Sequence, residues 1–201
     1  MRRIVLATLA VAACLWALPA AAQLGDILAA PKTLIDRAIE ARSTSDIAMD
    51  NAVVVKVNAV MADLGTIKAS TEIYEQRLLV TGLFDDKAVY DKFEKGVRAV
   101  EGVKKLYWHV TYMAKAEQEK RTKAGTMMDW KDVLVMETKA RGRLVGTRGV
   151  ADVNFRSTGD AFGTLYIIGR ARSGEEKTKA LERMKDGDGV KKVVDYIEVR
   201  P

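Results

Sequence analysis

The 201-residue chain has one cysteine, Cys14, and one histidine, His109. With a single cysteine there is no disulfide framework, thiolate metal site or pair of redox thiols within the chain. With one histidine the commonest general base and metal ligand is nearly absent. No G-x-S-x-G, H-E-x-x-H, C-x-x-C or Walker-type loop occurs. Gly142, Gly146 and Gly149 trail an expected helix, whereas a dinucleotide fingerprint opens one. The carboxylate pairs Asp85-Asp86 and Glu175-Glu176 fall at expected helix starts, where they complement the helix dipole. These absences argue against an enzyme and against a bound cofactor or metal.

The first residues read as an export signal. Met1-Arg2-Arg3 is a positive start, Ile4–Leu18 is an almost unbroken apolar stretch, and Ala20-Ala21-Ala22 supplies a small-residue cleavage site. Cleavage after Ala22 leaves 179 residues without cysteine, suited to an oxidising periplasm. Val11-Ala12-Ala13-Cys14 offers a second reading, a lipobox that would anchor the chain to the outer membrane through Cys14. Against it, Leu15–Leu18 continues the apolar run where a lipid tether would turn polar. Net charge is +6, or +4 once Arg2 and Arg3 are gone. A basic protein outside the cytoplasm does not meet nucleic acid routinely; anionic lipid headgroups and acidic envelope polymers are the expected targets.

An internal repeat organises the rest. Gly102-Val103-Lys104-Lys105-Leu106 recurs 87 residues later as Gly189-Val190-Lys191-Lys192-Val193. The same offset maps Leu78–Gly82 onto Leu165–Gly169 and Ser70-Thr71 onto Ser157-Thr158. Periodicity in the first copy predicts a helix over 46–63, stopped at Gly65, and strands over 67–73 and 77–84 about a turn at Tyr74-Glu75-Gln76. A second helix capped by Asp85-Asp86 should end at Gly102 as a left-handed cap, followed by a strand over 103–112. The second copy predicts a helix over about 129–144 and strands near 150–157 and 162–170. A helix opened by a Ser173/Glu176 capping box and a strand over 191–199 complete it. The fold class is therefore α+β, two tandem αββαβ domains, each a three-stranded mixed sheet covered on one face by two helices. The expected division is 1–22 signal, 23–45 arm or short helix, 46–113 first domain, 114–126 linker, 127–201 second domain. Within the arm, Pro31 could open a helix from Lys32 to Arg42. The linker could be a helical extension or a loose tether. About 70 residues make a marginal core, so the copies are expected to pack on each other.

The strands ending in Gly82 and Gly169, the amphipathic helices after them, and the Gly102-Val103 and Gly189-Val190 closures resemble the BON domain. Two such domains behind a signal peptide are similar to the dual-BON envelope proteins of Gram-negative bacteria. That resemblance implies phospholipid binding or a chaperone-like role for outer-membrane and secreted proteins, without catalysis. The acidic residue that often opens the family's first helix is present as Asp46, but the offset puts Val133 in the second copy, whose helix can instead start at Asp129.

Charge divides unevenly. Residues 46–113 hold 9 basic and 10 acidic side chains, net −1; residues 127–200 hold 15 and 12, net +3; the linker holds 4 and 2, net +2. The resemblance makes the second domain's first helix the membrane-facing element. Met127, Met128 and Trp130 at its start, with Lys131, Lys139, Arg141 and Arg143 behind, are the candidate lipid-binding residues. The competing reading packs Met128 and Trp130 into the core. Lys104-Lys105 and Lys191-Lys192 read as solvated strand ends, Trp108 as core, and His109 as an exposed residue on the opposite face.

Overall fold

A computed structural model describes residues 40–187 and 189–201, which all lie in one compact unit. The expected export signal, Cys14 and the arm up to residue 39 lie outside the described residues. Helix α1 spans Thr44–Asp63, β1 Ala69–Tyr74, β2 Arg77–Phe84, α2 Lys87–Arg98 and β3 Lys105–Tyr112. Then come α3 Lys115–Lys123, α4 Trp130–Leu144, a 3₁₀ turn Asp152–Asn154, β4 Phe155–Gly159, β5 Thr164–Ala171, α5 Gly174–Lys185 and β6 Lys192–Val199. The linker is thus largely helical, with no residue of α3 buried.

Each copy builds a mixed sheet, ordered β1-β2-β3 and β4-β5-β6, in which the first pair is antiparallel and the second parallel. Alternation along β2 sends Leu78, Val80 and Phe84 into a core under α1 and α2, with Val53, Val57, Phe93 and Val97. In the second copy Leu165 and Ile167 meet Ala140, Leu144, Ala180 and Met184 from α4 and α5. The repeated glycines near the ends of β2 and β5, Gly82 and Gly169, have a steric cause. A Cβ on Gly82 would lie 2.6 Å from the Lys68 carbonyl oxygen, and one on Gly169 would meet the Asn154 carbonyl.

The two copies use local signals differently. Ser43 caps α1 in a reciprocal box with Asp46, whereas α4 is capped by Asp129 alone, which accepts from Asp132 N–H at 3.0 Å. Ser173 caps α5, but Glu176 does not reach back to it; its carboxylate accepts from Ala151 N–H (2.7 Å) and Arg172 N–H (2.8 Å). Helix α2 ends at Arg98 with Ala99 as cap, so Gly102, at φ 96°, belongs to the turn beyond it. In the second copy the first strand starts at Phe155 because Asp152–Asn154 form the 3₁₀ turn.

The other faces of the two sheets stack on each other, producing helix, sheet, sheet and helix layers. Tyr74, Leu79, Tyr166 and Ile168 are buried there, flanked by Tyr107, Val194 and Tyr196. Tyr107 stacks on Tyr196 with ring centroids 3.9 Å apart, and Thr81 and Thr158 hydroxyls meet at 2.8 Å. His109 is not simply exposed: its ring stacks on Tyr166 at 4.0 Å, and Nε2 is hydrogen-bonded to the Tyr196 hydroxyl at 2.8 Å. Arg77, 6 % exposed, donates from Nη1 to the Tyr196 carbonyl and from Nη2 to the Gly169 carbonyl, each at 2.9 Å.

The chain just before α1 is stitched into the same seam. Residues 40–42 are not helical. Ala41 N–H donates to Asn154 Oδ1 at 2.7 Å, and Tyr74 Oη donates to the same oxygen at 3.1 Å. Arg42 pairs with Glu40 (2.9 Å) and Asp50 (3.0 Å). Burial opposes ionisation of Glu40, yet Arg42 outweighs it and holds that carboxyl below the usual range.

Candidate functional site

Helix α4 is amphipathic in an unusual sense. At about 100° per residue, Val133, Met136, Glu137, Ala140 and Leu144 share one narrow arc, and all are buried. The rest of the circumference carries Trp130, Lys131, Asp132, Leu134, Val135, Thr138, Lys139 and Gly142, all exposed. Trp130 is 39 % exposed, Leu134 42 % and Val135 51 %, so three large apolar side chains stand in solvent beside Lys131 and Lys139, with Asp132 as the one exposed carboxylate of the helix. Val145, just past the helix, adds another exposed apolar side chain. Core packing explains none of these four.

The helix is held by a buried carboxylate. Glu137 accepts from Gly159 N–H at 2.6 Å and Thr158 Oγ1 at 2.9 Å, fastening α4 to the end of β4. Burial pushes its carboxyl up, against the pull of those donors and of Arg141. Asp50, its counterpart 87 residues earlier, does a related job on α1. It accepts from Glu75 N–H (2.9 Å) and Gln76 N–H (2.6 Å). Those two residues have φ of 53° and 62°, a left-handed two-residue turn that non-glycine side chains seldom adopt without such support.

The structure divides the seven residues expected from the sequence. Trp130 and Lys131 are on the outer face of α4, and Lys139 is exposed at its margin. Met127 is buried, because the chain turns inward before the helix begins, and Met128 is half-buried with its methyl beside Gly189. Arg141 leaves the outer face. It pairs with Glu72 of the first copy and donates from Nε to the Ser157 carbonyl at 3.2 Å. Arg143 is half-buried, with a guanidinium nitrogen close to Gly187. Sequence reasoning missed Leu134, Val135 and Val145. The signal was a helix apolar on more of its circumference than one core can cover.

A cleft of about 350 Å³ lies at one end of the seam, lined by Asp46, Glu75, Arg77, Lys104, Lys105, Glu198 and Arg200. Glu198 pairs with Arg77 at 3.3 Å and Arg200 at 3.2 Å, and Arg200 also pairs with Glu75. Its charges therefore hold the copies together. Trp108 packs against the first core, edge-on to Tyr90 and tilted on Phe93. Lys104, Lys105, Lys191 and Lys192 are exposed. Among the described residues no helix is long and apolar enough to cross a membrane, and no group of three or more His, Cys, Asp or Glu could hold a metal ion.

Two solved structures are similar to the chain, both of CdsD, a structural protein of the type III secretion system of Chlamydia trachomatis. One is 10 % identical, with 74 % of this chain and 92 % of that chain covered at a TM-score of 0.30. The other, its C-terminal domain, is 11 % identical, with 74 % and 98 % covered at a TM-score of 0.28. The comparison with curated proteins finds no match. The family model of the BON domain matches residues 134–201, from the second turn of α4 through β6.

Proposed function

We propose that this is a non-catalytic envelope protein that binds anionic phospholipid at a membrane surface through the outer face of α4. The observation that carries the reading is the exposed Trp130, Leu134 and Val135 stripe beside Lys131 and Lys139. Apolar side chains of this size can enter the headgroup layer while the lysines meet lipid phosphates. Each basic residue held near an anionic surface contributes about 1 kcal/mol. The BON family is associated with phospholipid binding, in line with this surface. On this reading the first copy is a second BON-like unit that braces α4 through Glu72, and export places the protein in the periplasm, supporting envelope integrity. Lipid attachment at Cys14 would put it at the outer membrane instead.

The test is co-sedimentation of residues 23–201, which keep every described residue, with anionic and zwitterionic vesicles at low and high salt. Binding to anionic vesicles that weakens with salt supports the reading; equal binding to both kinds, or none, sinks it. A second reading, a soluble stress chaperone for outer-membrane or secreted proteins, draws on exposed Met49, Val55 and Ile67 of the first copy. It expects suppression of client aggregation that is insensitive to salt.

A further inference from the structure

The copies differ at the open edges of their sheets. In each sheet the last strand, β3 or β6, has a strand neighbour on one side only. Successive residues of such a strand turn their backbone groups alternately toward the neighbour and away from it. The phase is set at the strand ends. Met113 N–H donates to the Phe84 carbonyl, and Arg200 N–H to the Ala171 carbonyl, both at 2.8 Å. Counting back by twos, Leu106, Trp108, Val110 and Tyr112 of β3 face outward, as do Val193, Asp195, Ile197 and Val199 of β6.

The β6 edge is closed by side chains. Asp195 Oδ1 accepts from Ile197 N–H at 2.7 Å, Lys177 Nζ donates to the Ile197 carbonyl at 2.9 Å, and Lys177 pairs with Asp195. The positions 87 residues earlier are Trp108 and Tyr90, whose side chains contact each other on the helix side of the sheet. Nothing in the first copy replaces the clamp. The outward N–H and C=O groups of Leu106, Trp108, Val110 and Tyr112 have no partner among the described residues.

We propose that this edge pairs with β3 of a second copy of the chain, antiparallel about a two-fold axis at His109. Only that register uses all four outward residues as hydrogen-bonded pairs within the strand, Leu106 opposite Tyr112 and Trp108 opposite Val110. It also sets Lys105 opposite Met113 and Lys104 opposite Ala114, so the cationic start of the strand meets uncharged residues. A parallel pairing would stack Lys105 on Lys105, which is unfavourable. The edge is self-complementary, as a two-fold interface requires, and the pairing joins two three-stranded sheets into one of six strands. A foreign strand would need acidic residues against Lys104 and Lys105.

Sedimentation velocity of residues 23–201 over a wide concentration range, with amide hydrogen exchange at both ends of that range, tests the pairing. The expected result is a reversible dimer. The amides of residues 106, 108, 110 and 112 gain protection with concentration, while the Ile197 amide is protected throughout. Tyr112→Pro removes an outward donor and leaves the Met113–Phe84 bond in place; it should weaken the dimer at least about tenfold. Tyr112→Ala keeps the donor and should dimerise within about threefold of the parent. A monomer at every concentration, a dimer whose β3 amides stay unprotected, or equal weakening by both variants would overturn the proposal. So would protection that arises only on adding an extended acidic peptide.

Discussion

Leu79→Ala probes the stacking of the two sheets. Leu79 points away from its own helices and is fully buried only because Tyr166 and Ile168 of the second copy lie against it. Truncating a buried leucine costs about 2–5 kcal/mol, through lost transfer energy and the cavity left behind. For the small cluster between the sheets, about 3 kcal/mol is expected, or a fall in Tm of about 6–12 °C for a chain of this size. Urea unfolding of residues 23–201, followed by tryptophan fluorescence and far-UV dichroism, should show one transition moved to lower urea with its slope unchanged. If that face of the sheet were wet, the same substitution would cost less than about 0.5 kcal/mol. A loss that small, or two transitions of which only one responds, would refute the layered arrangement.

Substitutions at Glu137 and His109 separate the forces at these two polar groups. Glu137 has its carboxyl pushed up by burial, so its contribution to stability is present below the unfolded value of 4.5 and lost as pH rises through the folded value. Glu137→Gln, which keeps an acceptor for Thr158 and Gly159, should match or exceed the parent at pH 7 and lose that advantage by pH 4. Glu137→Ala strands both donors and should cost about 2–4 kcal/mol. Urea midpoints at the two pH values measure both. His109 is pushed down by burial, with Asp160 opposing and Lys192 assisting. The folded protein therefore binds fewer protons, and stability should fall as pH drops through 6.5 toward the lower folded value. His109→Gln should flatten that part of the stability profile.

What could be read from the sequence depended on the distance over which each signal acts. The 87-residue offset, the β2 strand and the Asp129 start of α4 rest on local pattern, and the structure has them there. The fate of Glu176 was hidden because its partner Ala151 lies 25 residues away across the second copy. His109 read as exposed because alternation assigns a face without saying what covers it; Tyr166 and Tyr196 do. Arg141 looked like a membrane contact from its charge and position on the helix. Only the folded seam shows it turned toward Glu72. The outer face of α4 was half legible, as Trp130 and Lys131 stood out while Leu134 and Val135 were not singled out.

The membrane-binding account turns on where Trp130 goes when lipid is present. Residues 23–201 carrying Trp108→Phe leave Trp130 as the sole tryptophan, so its fluorescence in anionic vesicles containing depth-placed lipid quenchers reads its position directly. The account predicts a blue shift on binding and strongest quenching by quenchers at the headgroup–acyl boundary, both lost at high salt. A Trp130 emission unchanged by anionic vesicles to which the protein demonstrably binds would contradict it.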